Sequence, residues 1–204
     1  MPFKASNQAK DSDRLDALQA SLPLRLPGHH HHHSRDGPVV SVSAQVAPAS
    51  DILSIRVLDS EGLGDSYTVA SGIVTAVDSG ASVINLSVGG YSDSTVLREG
   101  VVGVSAVDAE GQIAHFSNYG DAVDLAAPGV EIVAAWEDSA SVTMSGTSAA
   151  APFVTGAVAA LLSTGTAATG AEAVNMLEAH AADLGTAGVD ADFGYGALQL
   201  GELF

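Results

Sequence analysis

The 204-residue chain contains no cysteine. Disulfides, thiolate zinc sites and a cysteine nucleophile are thereby excluded, and the redox compartment stays open. No apolar run reaches the roughly 18 to 20 residues needed to cross a bilayer, so no transmembrane helix is expected. The opening MPFKASNQAK has no apolar stretch of the kind a secretory leader carries. Aromatic residues make up only 5% of the chain, so Ala, Val and Leu must fill the core. Bases are scarce as well: seven Lys and Arg stand against 24 Asp and Glu, a net charge of −17. The last base is Arg98, and from Glu99 onward there are fourteen acids and no Lys or Arg. Such a surface repels phosphate backbones and anionic headgroups, which argues against nucleic-acid and membrane partners. It serves either as a solubilising shell or as a site for calcium or a cationic partner. No D-x-[DN]-x-[DN]-G loop supports an EF-hand.

What is present points to a folded domain. Hydrophobic residues make up 47% of the chain and recur in periodic blocks, which is incompatible with disorder over most of its length. The length suits one domain with a sizeable core. Residues 1–37 form an N-terminal extension unlike the rest, and residues 38–204 form the main domain. In the extension, Leu15, Leu18 and Leu22 sit at helical spacing, with Asp11 or Ser12 as a cap and Pro23 and Pro27 as stops. Five consecutive histidines at residues 29–33 resemble an affinity tag; a natural metal-binding tract is the alternative.

From Val39 the pattern alternates between strand and helix. PVVSVSAQVAP reads as extended, DILSIRVLD as a buried strand, and LGDSYTVASGIVTAVDSG as an amphipathic helix closed by Gly80. SVINLSVGG is a second buried strand, and VVGVSAVD, AVDLAAPG and EIVAAW are three short apolar segments. Two helices follow, about residues 147–163 and 170–182, then a Gly-rich tail containing FGYGALQL. Strands alternating with helices predict an α/β fold with a mostly parallel central sheet covered on both faces.

The chemically informative stretch is SGTSAAAPFVTGAVAALLS, residues 145–163. Ser148 stands where a Gly-containing turn meets an Ala-rich helix, whose first N–H groups are placed to hold negative charge. Pro152 is expected in the first helical turn, where its missing N–H has no partner to lose. The small residues that follow, Gly156 among them, permit close approach to a sheet.

SGTSAAAPFVTG resembles the nucleophile block S-G-T-S-x-A-x-P-x-V-x-G of the subtilisin-like serine proteases, the subtilase family. VAPASDILSIRVLD, SVINLSVGG, AHFSNYGDAVDLAAPGVEI and FGYGALQ fall into the family's order, so the resemblance covers roughly residues 39–200. It implies a three-layer subtilisin-like fold, shortened here, and a serine endopeptidase acting on peptides or proteins. Ser148 is implied as nucleophile and its backbone N–H as an oxyanion donor. Ser87, Val88 and Gly89 are implied as the strand edge that pairs with substrate. No cofactor is required for the chemistry, no metal-binding residue is singled out, and structural calcium is compatible. Family members are often secreted, whereas the compartment of this chain is not indicated.

A serine hydroxyl of ordinary pKa needs a His to take its proton and a carboxylate to orient that His. The family supplies these as D-T/S-G and H-G-T-H. Asp78-Ser79-Gly80 spells D-S-G but follows the histidine position in chain order and reads as a helix end, which leaves the catalytic Asp unassigned. His29 follows a glycine, as the family's catalytic His does, yet four more His replace G-T-H; it is the single weak candidate base. His115 reads as structural and His180 as exposed. The family's oxyanion Asn lies in a G-N segment, but here Arg98, Glu99 and Gly100 run straight into Val101, and Asn118 belongs to a different motif. The resemblance thus implies an endopeptidase by family whose present chain is inactive or severely impaired. The alternative is a non-catalytic scaffold that binds peptides.

The charge distribution yields a first prediction. Raising ionic strength from 0.01 M to 1 M shortens the Debye length from about 30 Å to about 3 Å and removes most repulsion between exposed charges. The melting temperature should therefore rise along a sodium chloride series, and a flat series refutes the repulsion. Calcium chloride at matched ionic strength should raise it further if carboxylates cluster into a cation site.

Overall fold

The computed structural model describes residues 3–4, 17–22, 37–59, 63–87, 101–135 and 140–201. The elements are β1 (Phe3–Lys4), β2 (Ala17–Leu22), α1 (Gly37–Val46), β3 (Asp51–Arg56), β4 (Leu63–Gly64), α2 (Ser66–Asp78), β5 (Val83–Asn85), β6 (Val104–Val107), β7 (Leu125–Pro128), β8 (Ile132–Ala135), β9 (Ser141–Met144), α3 (Thr147–Ser163) and α4 (Gly170–His180). Asp11, Ser12 and the histidine tract lie outside the described residues.

The α/β architecture with a parallel sheet is present. β6 and β7 run parallel, in register from Val104 opposite Leu125 to Val107 opposite Pro128. The C-terminal tail extends this pair, with Ala197 parallel to Ala126. β3 and β5 each pair antiparallel with β2, so the two point the same way, joined by α2 as a βαβ unit. Antiparallel pairs β1–β4 and β8–β9 complete the described ladders.

α2 follows from its sequence. The Asp65 carboxylate accepts the Thr68 N–H at 2.7 Å at the start, which also holds its pKa below the ordinary value. Val69, Gly72 and Ala76 form the buried face against Val57 and Leu58. The helix stops at Ser79, and Gly80, at φ 86°, turns the chain away.

Three local expectations are overturned. The leucine spacing over 15–22 suggested a helix, but residues 17–22 are a strand because two flanking strands offer their backbones, and tertiary pairing outweighs weak local preference. PVVSVSAQVAP reads as extended, yet Gly37–Val46 is helical. Val42, Ser43, Val46 and Ala47 fall on one helical face, and that face packs on α3; burial has overridden the strand preference of valine. Finally, Pro152 is the sixth residue of α3, not a first-turn residue. Its missing N–H leaves the Ser148 carbonyl without the helical donor four residues on.

α3 is the structural centre. It packs on α1, α4, β5, β6 and β7, and ten of its residues from Ala149 to Leu161 are buried. The buried cluster joins Ala150, Val154, Ala157, Val158 and Leu161 to Ala106, Leu125, Ala127 and Leu177. At the crossing with α1 the fit leaves no room for a side chain. A Cβ on Gly156 would stand 2.6 Å from Val46 Cβ and 3.1 Å from the Ser43 carbonyl oxygen. The Ser43 hydroxyl donates to the Pro152 carbonyl at 3.2 Å across the same contact.

Two predictions arise from this packing. Gly156→Ala gains about 1 kcal/mol of helix propensity but forces overpacking against a β-branched residue, which typically costs about 1–3 kcal/mol. The variant should therefore melt below the parent, and an equal or higher melting temperature would contradict the close approach. The second concerns Glu178 on α4, whose pKa is raised above 4.5 by burial first and by the charge of Asp124 second. A raised carboxyl pKa favours the protonated folded form, so stability is lost as pH climbs through the raised value and is recovered below the ordinary one. Glu178→Gln should melt higher than the parent at pH 7, with the difference closing toward pH 4; a constant difference across this range would argue against the pair.

Candidate active site around Ser148

The turn that presents Ser148 is tied to the sheet by successive backbone bonds. The Gly129 N–H donates to the Val107 carbonyl at 2.9 Å, and the Gly146 N–H donates to the Gly129 carbonyl at 2.8 Å. The Gly146 carbonyl in turn accepts the N–H groups of Ala149 and Ala150 at 3.0 and 3.3 Å. One residue before Gly146, the Ser145 hydroxyl accepts the Glu131 N–H at 2.9 Å. Gly129 has no space for a side chain, since a Cβ there would stand 2.5 Å from Ala106 Cβ and 2.9 Å from the Gly146 carbonyl oxygen. The start of α3 is therefore fixed against the ends of β6 and β7.

Ser148 is the second residue of α3 and is half-buried. Among the described residues its N–H has no backbone acceptor and its hydroxyl has no hydrogen-bond partner. An N–H at this position is one of the helix donors that a capping group or a bound anion satisfies. The site thus offers a hydroxyl and a free N–H on one residue, backed by a helix N-terminus.

Ser87 follows β5 by two residues and is linked to the same helix. The Asn85 amide donates to the Ser87 hydroxyl at 3.0 Å, and the Thr155 hydroxyl donates to the Asn85 carbonyl oxygen at 3.3 Å. Asn85 is only 2% exposed. Its signal in the sequence is slight, a lone amide inside the apolar run SVINLSV. Val88 and Gly89 lie outside the described residues, as does His29.

The remaining candidates sit in other roles. Asp78 is the exposed last residue of α2, and Ser79 caps that helix through bonds to the Thr75 carbonyl. His115 is exposed and packs edge-on to Phe116, with ring centroids 5.1 Å apart. The His180 Nδ1 lies 2.8 Å from the Met176 carbonyl at the end of α4. Asn118 is exposed, and its carbonyl accepts the Ser117 hydroxyl, which itself accepts the Ala106 N–H. Among the described residues no three His, Asp or Glu side chains are grouped to hold a metal ion.

The arrangement has counterparts among known proteins. Over 153 residues the chain is 38% identical to the thermophilic serine proteinase of Bacillus sp. (strain AK1), a match covering 60% of this chain and 38% of that protein. Over 186 residues it is 30% identical to the minor extracellular protease Epr of Bacillus subtilis (strain 168), covering 76% of this chain and 29% of that protein. The chain thus spans well under half the length of these two relatives. A solved structure described as a lanthipeptide protease superposes with a TM-score of 0.72 at 21% identity, covering 79% of this chain and 72% of the other, and shows the shared fold. With the sequence pattern of that family matching residues 29–99 and 90–196, this chain belongs to the subtilase family.

Proposed function

We propose that this chain is a subtilase domain that holds an extended peptide in front of Ser148 and turns it over slowly or not at all. Peptide-bond hydrolysis through Ser148 is the reaction of its family, and the observation that carries the reading is the placement of Ser148 itself. Its N–H, free among the described residues, stands at the start of a helix anchored to the sheet, where developing charge on a carbonyl oxygen is stabilised. The peptide would lie along the edge at Ser87 to Gly89, of which Ser87 is held in fixed relation to α3 through Asn85 and Thr155.

Attack by the Ser148 hydroxyl on a peptide carbonyl requires a base for its proton. The described histidines, His115 and His180, occupy other contacts, and the sequence around His29 departs from H-G-T-H. The oxyanion is left to the Ser148 N–H without the family's Asn, and losing such a donor alone typically costs about 10²–10³ in rate. Binding survives these losses because the strand edge and the helix N-terminus do not depend on the relay. A relative named as an extracellular protease supports an exported protein.

A fluorophosphonate probe at pH 8 tests this. The chain and its Ser148→Ala variant should label to the same background level, since an unactivated hydroxyl reacts no faster than other surface hydroxyls. Labelling that disappears with Ser148→Ala would establish an activated nucleophile and overturn the impaired reading.

A further inference from the structure

β2 stands apart from the strands around it. β3 and β5 point the same way as the two strands of a βαβ unit, and β2 runs between them in the opposite sense. Its register is continuous along β3, from Ala17 opposite Arg56 to Leu22 opposite Asp51. On the other side Gln19, Ala20 and Ser21 face Asn85, Ile84 and Val83. Strands in a ladder lie about 4.8 Å apart, so β3 and β5 are held roughly 10 Å from each other. With that space empty, both inner edges would present unpaired N–H and C=O groups under the cover of α2, which packs on β2 and β3.

The occupant is not a strand by its own preference. Leu15, Leu18 and Leu22 have helical spacing, so the extended form is imposed by the edges on either side. It also comes from outside the part of the chain that matches the subtilase family, which begins at residue 29. Fourteen residues, 23–36, separate it from α1 in the sequence. Backbone pairing to an open strand edge is the mode by which extended peptides add to sheets, and here two such edges face each other.

We infer that the position between β3 and β5 is a strand-acceptor slot, filled in cis by residues 17–22 and able to take the same segment as a free peptide. The N-terminal segment then works as a detachable complement to the sheet, and the partner the slot fits is an extended, antiparallel segment of that sequence. The inference is independent of what Ser148 does.

Two measurements on the full chain test it. Ala20→Pro removes an N–H at the residue paired on both sides and should empty the slot. A fluorescent peptide spanning residues 15–24 should bind this variant saturably, at least tenfold more tightly than it binds the parent, whose slot is filled. The same peptide carrying proline at its Ala20 position should bind neither. Equal affinity for parent and variant overturns the inference. Should Ala20→Pro fail to fold, Leu53→Cys decides, because the chain has no other thiol. A peptide whose cysteine at the Ala20 position, opposite residue 53 in the register, is activated as its 2-nitro-5-thiobenzoate disulfide should exchange with the thiol of the Leu53→Cys chain, releasing 2-nitro-5-thiobenzoate, at least fivefold faster than a scrambled peptide activated in the same way. Equal rates for the two peptides overturn the inference.

Discussion

The close seating of α3 on the sheet and on α1 is the contact on which the other features depend. It requires side chains small enough for a helix to approach a strand layer and another helix at once, and the run of Ala, Gly and Val from Ala149 supplies them. Where Gly156 meets Val46 the two backbones are separated by a single side chain's thickness. The same approach brings Gly146 within reach of Gly129, so the packing that buries the core also orients Ser148. Thr155, one helical face away, carries the influence of α3 to Asn85 and through it to Ser87. Stability and site geometry are thus properties of one helix surface.

Much of this was legible in the sequence. The α2 boundaries follow from an Asp cap and a terminal glycine, both local signals with local physics. The limits of the nucleophile helix follow from its composition and the glycine before it, which leave few alternatives. What failed was whatever depends on distant partners. Val-rich residues in α1 look like a strand until the α3 surface that buries them is known, and residues 17–22 look like a helix until β3 and β5 are known to lie apart. Pro152 differs for another reason: the start at Thr147 is right, but counted from it Pro152 is the sixth residue and already lies beyond the first turn. At the site, Ser148 was found by its block of neighbours, whereas Asn85 acts through a contact 70 positions away that no local pattern encodes.

Among the described residues the acids sit largely outside these contacts. Several of the carboxylates in the C-terminal third satisfy nearby backbone N–H groups, as Asp190 does for Thr186, Asp192 and Phe193, which keeps its pKa below the ordinary value. Asp124 caps the Gly103 N–H at 2.7 Å in the same way, one residue before β7. Acids there do the work of turn formation in loops that lack bases. Glu178 is the exception, since burial and a like-charged neighbour both disfavour its ionised form.

The bond from Ser43 to Pro152 joins residues 109 positions apart, and β2 finds its partners on β3 and β5 only after the intervening chain has been made. Contacts of such sequence separation are reached slowly, because loop closure must precede the contacts that reward it. On the ribosome, the apolar face of α1 and the edges of β3 and β5 would emerge long before α3 exists to cover the first. The N-terminal half therefore passes through synthesis as an unfinished surface, and occupation of its open edges by residues 17–22, already present in the nascent chain, would shield it from intermolecular pairing during that interval.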